Sequence, residues 1–573
     1  MKSQQLIAAI RMFGLAICIG CMAPSCIAQS YDIVITHGHI IDGTGSPWYS
    51  GDIGIRDGRI AAIGSLSAAS RKRTIDAHEE IVAPGFIDML GQSGRTILVD
   101  PRLPSKIYQG ITTEVTGEGG SAAPLTDAMI QARTLHPGRL KVIPDWRTFD
   151  QYFARLQKQG IGINFASYVG ATQVRRVVLG DDDVQPTPEQ LKQMQSLVRN
   201  AMLDGAVGLS TALEYPPAPY AKTPELIALA SVAAQYGGIY ATHMRNEGGA
   251  VLPAIDEAVE IGRQAHIPVE IWHLKVAGKD NWGEMPKVVA KIDVARASGI
   301  DVEADTYAYT AWSNGLSAFI PPWAHNGGNA KMLARLQDPA ARVRIRKDML
   351  TPSTAWDNPW QEIPGPGAVL ICAVENPKLT PLEGKTLKQI ATEWHKDTID
   401  TIFDLLIQDK AATDVAVFGM SQPDVTLALQ QPWVSIDTDS AGISPEGILG
   451  QSHPHPRAYG TFPRILRKYV REEHTLSLPE AIRKFTALPA QRMRFTDRGV
   501  LKKGLWADVV IFNPATIRDL ATYQKPNQLS QGMDYVLVNG VPVIDQGKVT
   551  GALPGKVLRG AGYVPANQRS AGK

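Results

Sequence analysis

Alternating apolar and polar residues at both ends of the chain predict β-strands. Near the start, YDIVITHGHIIDG and DIGIRDGRIAAIG alternate with a period of two, and Asp57-Gly58 offers a hairpin turn. Near the end, WADVVIFNP and MDYVLVNGVPVIDQGKV repeat the pattern around a turn at Asn539-Gly540. These stretches predict one small β-sandwich domain that is built from residues 30–83 and 495–560.

Between these ends, short apolar runs alternate with segments of helical length. The eight runs are GFIDML, GITTEVTGE, INFASYVGAT, AVGLSTAL, IYATHMR, VEIWHLK, DVEADTYAY and VSIDTDS. Such alternation is typical of βα units around a parallel sheet, and eight units predict an α/β fold with a (β/α)8 TIM-like barrel over residues 84–494. A stretch rich in Pro, Trp and Gly, at about 320–385, predicts an insertion that covers the barrel mouth.

The first residues predict an exported protein. Lys2 and Arg11 precede or interrupt an apolar run, and a small-x-small sequence ends at residue 28, so residues 1–28 are typical of a signal peptide. The expected location is periplasmic or secreted. A retained membrane anchor and lipid attachment at Cys21 or Cys26 are the alternatives.

The composition of the chain narrows the class of molecule that the protein is expected to bind. The formal net charge of +2, without a basic stripe, argues against nucleic acid. No stretch after the signal is long and apolar enough to span a bilayer. Only Cys372 follows the signal, which leaves no pair for an intrachain disulfide. A small molecule is the expected partner, and the sequence does not indicate an oligomeric state.

Four polar residues stand at the C-terminal ends of predicted barrel strands, where barrel enzymes keep their active sites. Glu118 follows the second strand, His243 the fifth, His273 the sixth and Asp439 the eighth. Two imidazoles and one carboxylate suit zinc, and a further carboxylate can take a proton from water. Iron or cobalt is an alternative for such a set.

Two other histidine pairs are weaker candidates. His37 and His39 have the spacing of metal ligands, but they lie in an alternating strand before the barrel, where a solvated face is expected. His453 and His455 follow the eighth strand, and they suit either the site or a loop fixed by the neighbouring prolines.

The chain resembles the N-acyl-D-amino-acid deacylases (D-aminoacylases) of the amidohydrolase superfamily. The motifs that carry this resemblance, over nearly all of the chain after the signal, are DIVITHGHIIDGTG, APGFID, GITTEVTGEGGS, GAVGLSTALEYPP, YATHMRNEGG, WHLKVAG, HPHPRAYGTFPR, TALPAQRMRFTDRGVLKKGLWADVVIFNP and DYVLVNG. The resemblance implies a β-domain, a distorted barrel, zinc, and hydrolysis of a linear amide.

The resemblance also assigns the metal ligands, with two departures. The family's tightly held zinc has a Cys ligand and two His ligands, which match Glu118, His243 and His273. The family's His-x-His pair, which serves a second metal, is replaced by Leu90 and Gln92. We therefore expect about one Zn²⁺ per chain, with Glu118 as a substitute ligand.

Catalytic and substrate-binding roles follow by the same resemblance. Asp439 matches the family's catalytic aspartate. The residues that match the family's carboxylate-binding set are Lys275, Tyr307, Ser313 and Arg457. The expected substrates are N-acyl-D-amino acids or related dipeptides that contain a D-residue. Structural salt bridges are the alternative role for the two cations.

Two further expectations concern the barrel interior. Asp88 is expected to orient polar groups there, and Glu114 is expected to pair with Gln92, because an unpaired buried carboxylate is costly.

Two other functions remain open at this stage. A cyclic-amide hydrolase of the hydantoinase or dihydroorotase type normally has two metals bridged by a carboxylated Lys, and Glu118 stands at the bridging position here. A binding protein without catalysis would explain the lost His pair, although it would have no chemical need for the retained site residues.

Overall fold

A computed structural model describes residues 30–569 of the chain. The predicted signal peptide over residues 1–28 lies outside the described residues, so export stays a prediction. Within residues 30–569, no helix combines the length and the apolar character needed to cross a membrane.

The described part of the chain contains strands of up to ten residues and helices between them. The strands are β1 (Tyr31–Ile40), β2 (Tyr49–Arg56), β3 (Arg59–Gly64), β4 (Arg71–Asp76), β5 (Ile81–Pro84), β6 (Phe86–Asp88), β7 (Ile111–Thr116), β8 (Asn164–Ser167), β9 (Val169–Gly170), β10 (Gly208–Ala212), β11 (Ile239–His243), β12 (Val269–Ile271), β13 (Val302–Thr306), β14 (Trp312–Gly315), β15 (Val369–Ala373), β16 (Asp414–Val417), β17 (Val434–Ile436), β18 (Val509–Phe512), β19 (Met533–Val538), β20 (Val541–Asp545) and β21 (Lys548–Val549).

The α-helices mostly follow barrel strands. They are α1 (Pro104–Ile107), α2 (Asp127–Leu135), α3 (Phe149–Gln159), α4 (Ala171–Leu179), α5 (Pro188–Asp204), α6 (Thr223–Gln235), α7 (Val251–Ala265), α8 (Met285–Ala297), α9 (Asn329–Gln337), α10 (Pro339–Leu350), α11 (Pro359–Glu362), α12 (Leu387–Glu393), α13 (Thr398–Gln408), α14 (Gln422–Gln430), α15 (Arg457–Arg464), α16 (Leu478–Phe485), α17 (Ala487–Arg492) and α18 (Ala566–Arg569).

Strands from both ends of the chain form one nine-stranded sheet. Its order is β21-β20-β19-β18-β5-β1-β2-β3, and β4 pairs with β1. Alternate residues of β1 and β2 are buried together, with Ile33 opposite Ile55 and Ile35 opposite Ile53. Ile511 of β18 shares the same apolar core, which binds the end of the chain to its start.

The His37 and His39 pair lies in this sheet, at an irregularity of β1. Nδ1 of His37 is 3.1 Å from Oδ1 of Asp76, and Nε2 of His39 is 3.0 Å from Oε2 of Glu79. Each imidazole therefore has its own carboxylate partner, and the two do not converge on one site.

Eight parallel strands form the barrel, with β8 and β9 as two parts of one strand. The pairings run β6-β7-β8 and β9-β10-β11-β12-β13-β17, and the Tyr168 N–H joins the two series by donating to the Thr116 carbonyl at 2.9 Å. These strands coincide with the eight apolar runs of the sequence. The predicted α/β fold, a (β/α)8 barrel with a sheet domain made from both chain ends, is confirmed.

A fully buried ammonium group closes the barrel between β6 and the segment after β17. Nζ of Lys106 donates to Oδ2 of Asp88 at 2.5 Å, to Oγ1 of Thr438 at 2.7 Å and to the Ser440 carbonyl at 2.8 Å. The Thr438 N–H also donates to Oδ1 of Asp88 at 2.8 Å. Asp88 thus orients polar groups inside the barrel, through a lysine from α1 that the sequence did not single out.

The expectation that Glu114 has a hydrogen-bonded partner is confirmed, but Gln92 as that partner is wrong. Glu114 instead accepts hydrogen bonds from the N–H and Oγ of Ser93, at 2.9 and 2.7 Å, and lies 3.6 Å from Nζ of Lys106. The carboxylate fits there because Gly91 has no side chain, since a Cβ at Gly91 would lie 2.2 Å from Glu114. Gln92 points to the barrel mouth instead.

The connection from β13 to β17 carries a further small sheet. Its order is β14-β16-β15, and helices α9 to α13 accompany it. The predicted insertion, about 320–385, lies within this longer segment, because β14 and β16 pair with each other on either side of it. Ser313 of β14 faces the barrel mouth and joins the cavity described below.

We expect Lys106→Met to destabilise the protein by about 3–5 kcal/mol, because it leaves Asp88 and Glu114 buried without their cation. The measurement is the free energy of unfolding in urea. Lys72→Met is the control, because Lys72 pairs with Asp32 on the exposed surface and its loss should leave the free energy of unfolding close to that of the parent. Equal stability of Lys106→Met and the parent would contradict the role of this group in closure.

Candidate functional site

The four predicted strand-end residues converge at the barrel mouth. His243 is the last residue of β11, while Glu118, His273 and Asp439 lie within three residues of the ends of β7, β12 and β17. His273 and Asp439 have positive φ angles of 38° and 39°, which few residues other than glycine adopt. Such strained backbone is concentrated at functional sites, and here it turns both side chains toward the mouth.

Glu118, His243 and His273 form a compact set of metal-ligating atoms. Their donor atoms all lie within 4.8 Å of one another. Oε1 of Glu118 is 3.2 Å from Nδ1 of His243 and 3.5 Å from Nε2 of His273. The two imidazole nitrogens are 3.0 Å apart. Burial alone would raise the pKa of Glu118, but hydrogen bonds from the two imidazoles hold it well below the usual value.

Two outer carboxylates lie behind these imidazoles. Nε2 of His243 is 2.8 Å from Oε2 of Glu214, and Nδ1 of His273 is 3.1 Å from Oε1 of Glu247. With a cation in the site, an N–H on Nε2 of His243 would face Glu214, and Nδ1 of His243 would present its lone pair to the cation. Carboxylate–histidine pairs of this kind support metal ligands, and the donor set therefore fits a divalent cation.

The positions of the family's His-x-His pair hold no metal ligand. Leu90 is fully buried in an apolar cluster with Trp272. Nε2 of Gln92 donates to Oε2 of Glu118 at 2.5 Å and lies 3.4 Å from Oδ1 of Asp439. Gln92 thus connects the metal-binding carboxylate to the candidate base. One oxygen of Glu118 is engaged by this amide and the other faces the imidazoles.

Asp439 and Arg457 form a buried ion pair beside the donor set. Nη2 of Arg457 is 2.9 Å from Oδ2 of Asp439, and its guanidinium lies over the Tyr307 ring at 4.6 Å. Nη2 also approaches the Ser313 carbonyl at 3.4 Å. Nε and Nη1 of Arg457 are buried without a partner among the described residues. The structure thus brings together Asp439, Tyr307, Ser313 and Arg457.

Lys275 differs from its expected place. Nζ donates to Oε2 of Glu247 at 2.7 Å and lies 2.6 Å from Nδ1 of His273. The side chain is 2 % exposed and does not line the cavity. His273 and Lys275 both lie in the turn and loop that follow β12, and the lysine side chain reaches behind the imidazole there. In this structure Lys275 neutralises Glu247, and contact with a substrate stays a prediction.

A cavity of about 660 Å³ opens over these groups. The site residues that line it are Gln92, Glu118, Tyr215, His243, Ser313, Asp439, His455 and Arg457. His455 belongs to the wall, where Nδ1 accepts the Arg457 N–H at 3.0 Å and Nε2 is 3.1 Å from the Tyr523 hydroxyl. Burial, followed by the charge of Arg457, holds the pKa of His455 well below its usual value.

Sequence reasoning did not assign roles to Glu214 or Glu247, and it gave Gln92 a different partner, Glu114, from the Glu118 that the structure shows. One signal was available for the two glutamates. Glu214 follows a barrel strand in ALEYPP, and Glu247 lies four residues after His243, so both stand where an outer carboxylate can reach an imidazole.

We expect Glu214→Ala to weaken zinc binding by about 10- to 100-fold, because the His243 imidazole loses the acceptor that fixes its tautomer. The measurement is competition with a chelator. Glu214→Gln should recover part of the affinity, since its amide oxygen still accepts the N–H. Glu189→Ala, on the exposed start of α5, is the control. Parent-like affinity in Glu214→Ala would remove this role.

Known proteins share this sequence and fold. A profile of the amidohydrolase family matches residues 447–544. The N-acyl-D-glutamate deacylase of Alcaligenes xylosoxydans xylosoxydans is 35% identical over 534 residues, which cover 93% of this chain and 97% of that protein. The D-aminoacylase of the same organism is 34% identical over 538 residues, which cover 93% and 98% of the two chains.

A solved structure agrees with these relatives. The N-acyl-D-glutamate deacylase of Bordetella bronchiseptica, complexed with zinc and a phosphonate inhibitor, is 34% identical to this chain with a TM-score of 0.77. The match covers 93% of this chain and 100% of that one. Identity and coverage at this level, together with the donor set at the strand ends, identify the chain as a metal-dependent amide hydrolase that belongs to the N-acyl-D-amino-acid deacylase (D-aminoacylase) family.

Proposed function

We propose that this enzyme deacylates N-acyl-D-amino acids and holds one Zn²⁺ per chain at Glu118, His243 and His273. The observation that carries the proposal is Arg457, which is buried beside Asp439 and whose Nε and Nη1 have no partner within residues 30–569. A buried guanidinium with free donors is a costly feature unless a ligand satisfies it. The carboxylate of an acylated amino acid has the charge and the planar shape that it requires.

The same arginine places the amide bond over the metal-binding set. Arg457 contacts Asp439. The side-chain amide of Gln92 lies between Asp439 and Glu118 and contacts both carboxylates. In an N-acyl amino acid, two bonds separate the carboxylate carbon from the amide nitrogen. A substrate held by Arg457 therefore presents its amide beside Asp439 and the ligand set. The guanidinium of Arg457 lies over the Tyr307 ring, and this cation–π contact limits the motion of the guanidinium.

Asp439 performs the proton transfers in this proposal. Glu118, His243 and His273 would hold a zinc ion, which would polarise the amide carbonyl and lower the pKa of the attacking water to about 7. Asp439 accepts the proton of that water as the water attacks the amide carbon. Asp439 then donates the proton to the leaving amine nitrogen, and the C–N bond breaks. Arg457 and Gln92 hold the carboxylate in place for both steps.

The two alternative functions fit the site less well. A cyclic-amide hydrolase with a bridging carboxylated lysine has no lysine at this position, because Glu118 occupies it with its own contacts to both imidazoles. A binding protein without catalysis would not require the strained backbone of Asp439 next to a complete donor set.

We expect elemental analysis of the purified protein to find about one zinc per chain. Two sets of possible ligands, which are Glu118 with His243 and His273, and Glu214 with His243 and Glu247, share His243, and Lys275 already neutralises Glu247 in the second set. Leu90 and Gln92 supply no further ligand. Removal of the metal with a chelator should abolish hydrolysis, and zinc should restore it. Glu118→Ala should lose both metal and activity. Two zinc ions per chain would contradict the single site.

We expect Arg457→Met to lower kcat/KM for an N-acetyl-D-amino acid by about 3 kcal/mol, on the order of 10²-fold, because a buried charge pair with the substrate is lost. The matched control is Arg464→Met on the same helix, since Arg464 also lies 4.6 Å over a tyrosine ring, that of Tyr309, but does not line the cavity.

A substrate without the carboxylate separates binding from folding. The parent enzyme should strongly prefer the N-acetyl-D-amino acid over the corresponding N-acetylamine, and Arg457→Met should lose most of that preference. An unchanged preference would show that Arg457 does not bind the carboxylate. Equal rates for the D- and L-enantiomers would contradict the proposed stereochemistry.

A further inference from the structure

A second cavity, of about 340 Å³, opens beside the metal-binding set. Segments that follow the first three barrel strands form it, and Gly117, next to Glu118, lies in its wall. Gln92, Thr96 and Leu140 line both this cavity and the larger one, so the two cavities share a wall beside the reacting groups. We call this smaller space the side cavity. The proposed mechanism gives it no role.

Two arginines without acidic partners line the side cavity. Arg95 follows β6, and its Nη2 donates to the Pro137 carbonyl at 3.3 Å while its Nε is buried without a partner. Arg133 reaches the cavity from α2. Within residues 30–569, neither guanidinium forms a salt bridge. Arg133 is an exposed residue of α2, and desolvation, followed by the charge of Arg95, lowers its pKa. Both guanidinium groups thus line one cavity without a salt-bridge partner within residues 30–569, and Glu375 acts on Arg95 only from a longer distance.

The remaining wall defines the kind of anion that fits. No acidic residue lines the side cavity, whereas apolar side chains form much of its surface. These are Leu125, Leu140, Val142 and Trp146. An apolar chain of a few carbons that ends in a carboxylate matches both features. An α-ammonium group would lie among cations without a counter-charge, which disfavours a peptide residue as the occupant.

We propose that the side cavity is the acyl-group subsite, and that it selects an acyl group ending in a carboxylate, as in the half-amide of a short dicarboxylic acid. This inference rests on the proposed deacylation. The order of atoms in an N-acyl amino acid is carboxylate, α-carbon, nitrogen, carbonyl and acyl chain. When Arg457 binds the first carboxylate and the amide lies by Asp439, the acyl chain continues past Gln92. Gln92 forms part of the shared wall, and the side cavity lies next to it.

The reaction is balanced without another reactant. Water adds to the acyl carbon, the C–N bond breaks, and the proton passes to the amine. The products are a free dicarboxylic acid and a D-amino acid. Arg95 and Arg133 would bind the carboxylate of the acyl group by charge-assisted hydrogen bonds. The loss of one such bond should weaken the binding of that acyl group by about tenfold or more.

The test compares N-succinyl and N-acetyl derivatives of the same D-amino acid. The parent enzyme should show a higher kcat/KM for the succinyl compound. Arg133→Met should lower the ratio of the two kcat/KM values by about tenfold, because it removes one of the two cations. Arg199→Met, an exposed arginine of α5 outside the cavity, is the matched control and should leave that ratio unchanged. Arg133→Glu should reverse the preference.

A binding measurement keeps the test independent of turnover. In the Asp439→Asn background, the dissociation constant of the N-succinyl compound should rise about tenfold on Arg133→Met, and that of the N-acetyl compound should rise much less. Hydrolysis of the N-acetyl compound with an unchanged ratio in Arg133→Met would overturn the subsite and leave the deacylase function intact. A dipeptide with an acidic N-terminal residue that outperforms the succinyl compound would overturn the choice of ligand. Hydrolysis of neither compound would count against the deacylase function, and the dissociation constants would then decide the subsite alone.

Discussion

The ion pair between Lys106 and Asp88, where the first and eighth barrel strands meet, is the interaction on which the active site depends. Lys106 binds Asp88 from the first strand and the segment Thr438–Ser440 after the eighth, so one ammonium group joins the two strands that must meet. Its full burial makes either partner costly to remove, because a lone charge in an apolar interior is strongly destabilising. Asp439 lies inside that same segment, and Gln92 follows the first strand. The contacts that close the barrel therefore also fix the position of Asp439, the proposed catalytic base.

The sequence predicted the barrel well and the contacts inside it poorly. Apolar runs mark strands because burial on both faces requires them, and strand ends mark the mouth, so Glu118, His243, His273 and Asp439 could all be found by position. Contacts between distant segments carry no such period. Lys106 lies in a short helix, and nothing near it in the chain indicates that it reaches the eighth strand. For the same reason Glu114 was paired with Gln92 rather than with Ser93, since a glycine at residue 91 is what makes room for it.

Gln92 limits what Glu118 can bind. Its side-chain amide is a neutral donor that occupies one carboxylate oxygen of Glu118 by a hydrogen bond. The other oxygen faces the imidazoles, which favours a single contact to a cation. Glu214 and Glu247 supply the negative charge behind the histidines, and Lys275 offsets part of it. Each of the three candidate metal ligands thus has a polar partner next to it, which is Gln92 for Glu118, Glu214 for His243 and Glu247 for His273.

The sheet made from both chain ends constrains how this protein reaches its folded state. β5 is complete at residue 84, yet its neighbour β18 begins at residue 509, so more than four hundred residues must be synthesised before the two can pair. Contacts at such sequence separation form late and slow folding. Until then β5 presents an open edge and an uncovered apolar face, which are the features that lead to aggregation. A chain with this topology stays exposed to aggregation until the strand that begins at residue 509 has been synthesised and has paired with β5.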